Sequence, residues 1–119
     1  MQYMIMFYEN ADTLACRTDA RAPEYFAGWN AYIQALSQSG IVRGGNGLQG
    51  PETATSLRLR NGERQLHDGP FADTKEQLGG YFIIEVAHLD EALAWAARAP
   101  CTSGGGVEVR PVMVPPGQA

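Results

Sequence analysis

The sequence predicts an α+β domain of ferredoxin-like βαββαβ type, with two helices on one face of the sheet and an added hairpin. Three observations carry this expectation. An apolar run opens the chain, two stretches with helical spacing are set between strand-like runs, and an Asn-Gly pair divides two alternating segments. The 119 residues fit a single domain over 1–119. A chain of this size buries roughly 65% of its unfolded surface, enough for one core.

From Tyr3 to Tyr8 every position is apolar, with Tyr3, Ile5 and Phe7 on one side of a strand and Met4, Met6 and Tyr8 on the other. That pattern suits a central strand covered on both faces. A polar connector without a period follows, from Glu9 to Ala22. Pro23 suits a first helical turn, and Tyr25, Trp29, Tyr32 and Leu36 recur at helical spacing. Gly40 stops this helix, which is expected over about 23–38.

Residues 40–51 hold a short strand and a glycine-rich turn. Two alternating runs, Thr53 to Arg60 and Glu63 to Asp68, flank Asn61-Gly62 and predict a hairpin, because both turn residues tolerate positive φ. Asp73 and Glu76 stand three apart, as in a capping box, and predict one short helical turn before Gly79-Gly80. Tyr81 to Val86 reads as a strand broken in polarity only by Glu85. A second helix is expected near Leu89, with Asp90 and Glu91 in its first turn, Arg98 in its last and Pro100 beyond. Val107 to Val114 is the final strand, and the tail from about 115 is expected to fray. Two helices cover only one sheet face, yet three strands are apolar on both. A second copy of the chain is expected on the other face, as a homodimer.

Thirteen acidic residues against nine basic ones give a net charge of −4. Without a Lys/Arg cluster, phosphate neutralisation is missing and direct nucleic-acid binding is not expected. No apolar stretch reaches the roughly 20 residues of a membrane span. MQYMIMFYEN has no basic residue ahead of its apolar run, so no secretory signal is expected. Cys16 and Cys101 are accordingly read as reduced cytoplasmic thiols. Two distant cysteines and two histidines offer no metal-ligand spacing, and no cofactor is expected.

Gly45 to Gly50, GNGLQG, matches a dinucleotide-binding string, but Pro51 and a strand-like run stand where that motif needs a helix. It is read as a turn. Cys101 lacks an obvious activating base and is read as passive. His67 and Asp68 are adjacent on a strand and face opposite ways, and His88 is assigned to the start of the second helix.

Two groups remain as candidate sites. Asp68-Gly69-Pro70-Phe71 is a turn by composition, with a second reading in which Asp68, Phe71 and Lys75 converge beside free helix amides that attract anions. Glu85, Glu108 and Arg110, on neighbouring strands, form either a salt bridge or the polar wall of a cavity.

DGPFADTKEQLGGYFIIE, followed by LDEALAWAARAP and VEVRPVMV, resembles the YCII-related (DGPF-domain) family, as do MQYMIMFYEN and GLQGPETATSLRLRNG. The resemblance runs from Met1 to about Val114, with Asp73 standing where the family more often has glutamate. It implies a ferredoxin-like fold and a homodimer of the dimeric α/β-barrel type. Some relatives resemble accessory products encoded beside extracytoplasmic-function sigma factors. Others are lyase-like or isomerase-like enzymes acting on small ring compounds through a His-Asp pair. The aspartate of that pair maps onto Asp68, whereas no histidine precedes His67. Two functions therefore stand side by side. One is a small-molecule-binding regulatory or accessory module. The other is an enzyme with Asp68 as general acid or base, Phe71 and Tyr81 packing on a substrate, and Lys75 or Arg110 holding an anionic group.

Overall fold

The computed structural model describes residues 1–72, 74–102 and 104–117. Strand β1 (Gln2–Asn10) runs between β5 (Glu76–Glu85) and β6 (Gly105–Pro111), and β2 (Val42–Gly47) adds to the outer side of β5. Every neighbouring pair is antiparallel, giving the order β2-β5-β1-β6. That is the ferredoxin-like order. The hairpin β3 (Thr55–Arg60) and β4 (Glu63–Asp68) is inserted between β2 and β5 and forms a separate two-stranded sheet. Its turn is set by Asn61 and Gly62, at φ of 52° and 78°.

Alternation along β1 places Tyr3, Ile5, Phe7 and Glu9 on a buried face and leaves Met4, Met6 and Tyr8 half-buried on the other. Helices α2 (Ala22–Ser39) and α3 (Leu89–Ala96) cover the first face. The core there joins Tyr3, Ile5, Phe7 and Ile84 to Tyr32 and Leu36 of α2 and Ala92 and Ala96 of α3. Phe7 meets Trp29, Tyr32 and Phe82 edge-on, with centroids 5.0–6.0 Å apart. Gly40 ends α2 in the left-handed region at φ 78°.

Two expectations are corrected. The connector after β1 is not featureless: Glu9 still belongs to the strand, and Asn10 caps a short helix, α1 (Ala11–Ala15), its Oδ1 accepting from Thr13 N at 2.8 Å. The helical turn expected from Asp73 and Glu76 does not form from Glu76 onward. Glu76–Gly80 is strand, paired with Asn10 to Phe7 of β1, so ladder pairing wins over a local cap signal. Asp73 and the last two residues of the tail lie outside the described residues.

Candidate functional site

A cleft of about 510 Å³ lies between α2 and the sheet. Phe7 and Phe82 from the strands, Phe26, Trp29 and Ile33 from α2, and Leu48 from the loop after β2 make its walls. The strand period explains the contribution of β1. Phe7 and Glu9 continue the inward series of Tyr3 and Ile5, so a carboxylate enters the helix-covered layer only 1% exposed.

A charge so buried needs partners. Arg17, in the connector after α1, donates from Nη2 to Glu9 Oε2 at 3.2 Å. The Tyr25 hydroxyl, on the first turns of α2, donates to Glu9 Oε1 at 2.6 Å and accepts from Arg17 Nε at 3.1 Å. Arg17 also donates to the carbonyls of Leu48 (2.7 Å) and Gly79 (3.4 Å), tying the connector to both sides of the cleft. Burial, and next the bond to Glu9, push the Tyr25 phenol up to about 12. Burial opposes the Arg17 charge, but its contacts with Tyr25 and Glu9 outweigh that and hold the guanidinium above its ordinary value. Glu9 and Arg17 thus cancel at the polar end of the cleft. Tyr25 stays a neutral donor.

Close backbone approach is built into the same region. A Cβ at Gly79 would stand 2.9 Å from Arg17 Nη2, and one at Gly45, at φ 156°, would stand 2.7 Å from the Tyr81 carbonyl. The helix that a dinucleotide-binding loop needs does not follow GNGLQG. Gly45 to Gly47 lie in β2, Leu48 to Gly50 line the cleft, and only a three-residue helical turn, Pro51–Thr53, follows.

One buried donor of a residue that lines the cleft is unpaired. The Trp29 indole Nε1–H is buried and has no hydrogen-bond partner among the described residues. A buried donor left unpaired costs about 1–3 kcal/mol.

The residues singled out from sequence do not gather at one point. Tyr81 borders the cleft, but the register sets it opposite Met6 on the helix-free face, where its hydroxyl accepts from Asn46 Nδ2 at 3.2 Å. Asp68 is exposed at the end of β4 and forms no wall of the cleft. Phe71 is also exposed, with the Arg58 guanidinium 4.4 Å above its ring. Lys75 lines a second, shallower cleft with Tyr8, Glu76 and Glu108. Arg110 pairs with Glu108 at 3.2 Å, and Glu85 with the Met1 ammonium at 2.6 Å, which holds the Glu85 carboxyl below its ordinary range. Cys16 and Cys101 are both free thiols, and the described residues hold no cluster of three or more potential metal ligands. Among the described residues, no helix is long and apolar enough to cross a membrane.

The sequence reading missed Glu9, Arg17, Tyr25 and Trp29 as a unit. One signal was available: Glu9 lies two residues beyond Phe7 on an inward period of two, where a charge demands a partner.

Fold and cleft together define a ferredoxin-like α+β protein with a small, largely apolar cleft on the helix side of its sheet. The chain belongs to the YCII-related domain family, whose model matches residues 1–115. It is 47% identical over 83 residues, 68% of its own length, to an uncharacterised protein of Rhizobium meliloti (strain 1021), and the match spans 64% of that relative. Among solved structures it is similar to 5-chloro-2-hydroxyhydroquinone dehydrochlorinase of Burkholderia phenoliruptrix AC1100, solved in complex with 2,5-dihydroxybenzoquinone. The superposition covers 95% of this chain and 94% of that one at a TM-score of 0.54 and 18% identity, a likeness of fold.

Proposed function

We propose that this protein is a small-molecule-binding regulatory or accessory module whose ligand occupies the cleft between α2 and the sheet. The observation that carries the reading is a 510 Å³ space walled mainly by Phe7, Phe26, Trp29, Ile33 and Phe82, with Glu9, Arg17 and Tyr25 at its polar end. Aromatic walls favour a flat, mainly apolar ligand. The polar end is already neutralised by Glu9 and Arg17, so the ligand needs no charge of its own. The test is a thermal-shift titration with ring compounds bearing carbonyl or hydroxyl oxygens, including 2,5-dihydroxybenzoquinone. At a hundred times its dissociation constant, a bound ligand stabilises the fold by about 2.7 kcal/mol. Trp29→Phe shortens an aromatic wall that also packs on Phe7 and Tyr32, so the variant loses stability as well as ligand affinity. No saturable shift across the panel defeats the reading.

A second reading is a lyase-like or isomerase-like enzyme with Asp68 as general acid or base. Phe71 and Tyr81 would contact the substrate, Lys75 or Arg110 would hold an anionic group, and Glu85 would belong to the polar wall. Its support is the overall likeness to a dehydrochlorinase. Chloride release from 5-chloro-2-hydroxyhydroquinone, abolished by Asp68→Asn, would establish it over the binding module.

In either reading we take the chain to work in the cytoplasm as one domain and as a homodimer, with no nucleic-acid or membrane partner and no cofactor. Support for the dimer is the sheet face that neither helix covers, where Met4, Met6, Tyr8 and Ile83 are apolar and half-buried.

A further inference from the structure

The cleft has room because one row of the sheet carries a single side chain. Phe7 of β1 pairs with Gly80 of β5, and Gly80 pairs with Gly47 of β2. Phe7 belongs to the buried, helix-covered series of β1, so the register puts the whole row on that face. Only Phe7 fills its place. Gly80 and Gly47 leave bare backbone as the floor opposite Phe26, Trp29 and Ile33 of α2.

Four glycines line this cleft, Gly47, Gly50, Gly79 and Gly80, and three of them have neighbours that an added Cβ would meet. At Gly79 it would stand 2.9 Å from Arg17 Nη2, at Gly80 3.0 Å from the Asn46 carbonyl, and at Gly50 against the Glu52 carboxylate. Gly47 differs. Its φ is not positive, and apart from its chain neighbours no atom of the described residues lies within 4 Å of an added Cβ. Neither backbone conformation nor packing calls for glycine there, and glycine weakens a strand interior. What the bare position supplies is space on the cleft side.

We infer that Gly47 is the specificity-determining residue of the cleft. A flat ring ligand lies over the Gly47–Gly80 backbone beside Phe7, in space that any side chain at position 47 would take. A glycine inside a strand often marks such a close approach of a ligand. This inference rests on the ligand-binding reading above and adds to it the position of the ring and the residue that limits its size.

The test sets affinity against stability. Gly47→Ala and Gly47→Val are compared with the parent by urea unfolding and by equilibrium dialysis of 2-naphthol, a flat, neutral two-ring probe. Gly44→Ala is the control. Gly44 has the same open surroundings and a φ that is not positive, but it pairs with Ile83, in the row of Met4 on the helix-free face. The expected effects have opposite signs. Urea midpoints of both Gly47 variants equal or exceed the parent's, because Ala and Val suit a strand better than glycine. Binding of 2-naphthol weakens roughly threefold in Gly47→Ala and at least about tenfold in Gly47→Val, the larger side chain costing more. Gly44→Ala binds the probe as the parent does. Gly47 variants that bind 2-naphthol as the parent does, or that lose stability in step with affinity, overturn the Gly47 assignment and leave the cleft reading standing. A parent that 2-naphthol does not saturate, or a loss of binding confined to Gly44→Ala, puts no flat ring in this cleft and defeats both.

Discussion

Glu9 is where a single residue carries the most structure. Its carboxylate holds Arg17 and Tyr25, which otherwise come from a connector and a helix with no reason to meet. Removing one partner of a buried pair costs about 3–5 kcal/mol, and Arg17 keeps two carbonyl acceptors, so Glu9→Ala is expected at the low end, about 3 kcal/mol by urea unfolding. A loss under about 1 kcal/mol would mean the pair does not anchor the connector. Gly79→Ala acts on the same pair from outside, since its methyl would stand 2.9 Å from Arg17 Nη2. That variant should weaken ligand binding in the cleft more than it lowers stability. Cys101 gives a pH signature. Burial first, and Glu9 second, push its thiol from 9.0 up to about 11. A raised value means that the neutral thiol's contribution is complete below pH 9 and is lost as pH climbs from 9 towards 11. Tyr25, held near 12, adds its own loss only above about pH 10. Urea midpoints at pH 8 and pH 10 should therefore differ in the parent and differ less in Cys101→Ser. Equal slopes would remove the thiol from the account.

At the scale of elements, what was legible in the sequence is what local chemistry decides. Asn61-Gly62 placed the hairpin turn correctly, because the positive φ it needs is a property of two adjacent residues. Gly40 ended α2 for the same reason, and Gly40→Ala tests it. Apart from its chain neighbours, no atom of the described residues lies within 4 Å of the added methyl, so its cost of about 1–2 kcal/mol is that of the left-handed backbone. A neutral result would mean that the helix end relaxes into another conformation. Where partners come from far along the chain, local reading failed. The cap signal at Glu76 gave way to pairing with Asn10, sixty-six residues earlier. Likewise the cleft joins β1, the connector, α2 and the loop after β2, and only the inward position of Glu9 announced it. Tyr81 borders this cleft, although the register sets it opposite Met6, on the helix-free face. Its neighbours in the sequence argument, Asp68, Phe71 and Lys75, stay on the hairpin side and the second cleft.

For the whole molecule, the radius of gyration is 16.3 Å, whereas a compact chain of this length has roughly 13.5 Å. The excess belongs to a flat body, 18 Å along its shortest axis, with the β3–β4 hairpin outside it. Such a body exposes two kinds of surface, and the sheet face can be tested without touching the hairpin. Met6 sits on β1 between Tyr81 and Glu108 of the flanking strands, on the side that neither helix covers. In a lone chain a glutamate there still reaches water, so Met6→Glu should change the unfolding free energy of the monomer by less than about 1 kcal/mol. In a dimer closed by two such faces the same carboxylate is buried near its symmetry mate and beside Glu108, without a cation assigned to it. Burying unpaired like charges costs several kcal/mol, so the dissociation constant should rise by at least about a hundredfold. Ile5→Glu, one residue away on the helix side, should instead unfold the chain, since Ile5 is fully buried in the core. If Met6→Glu dimerises as the parent does, the two sheet faces do not meet, and the helix-free face must be covered in some other way.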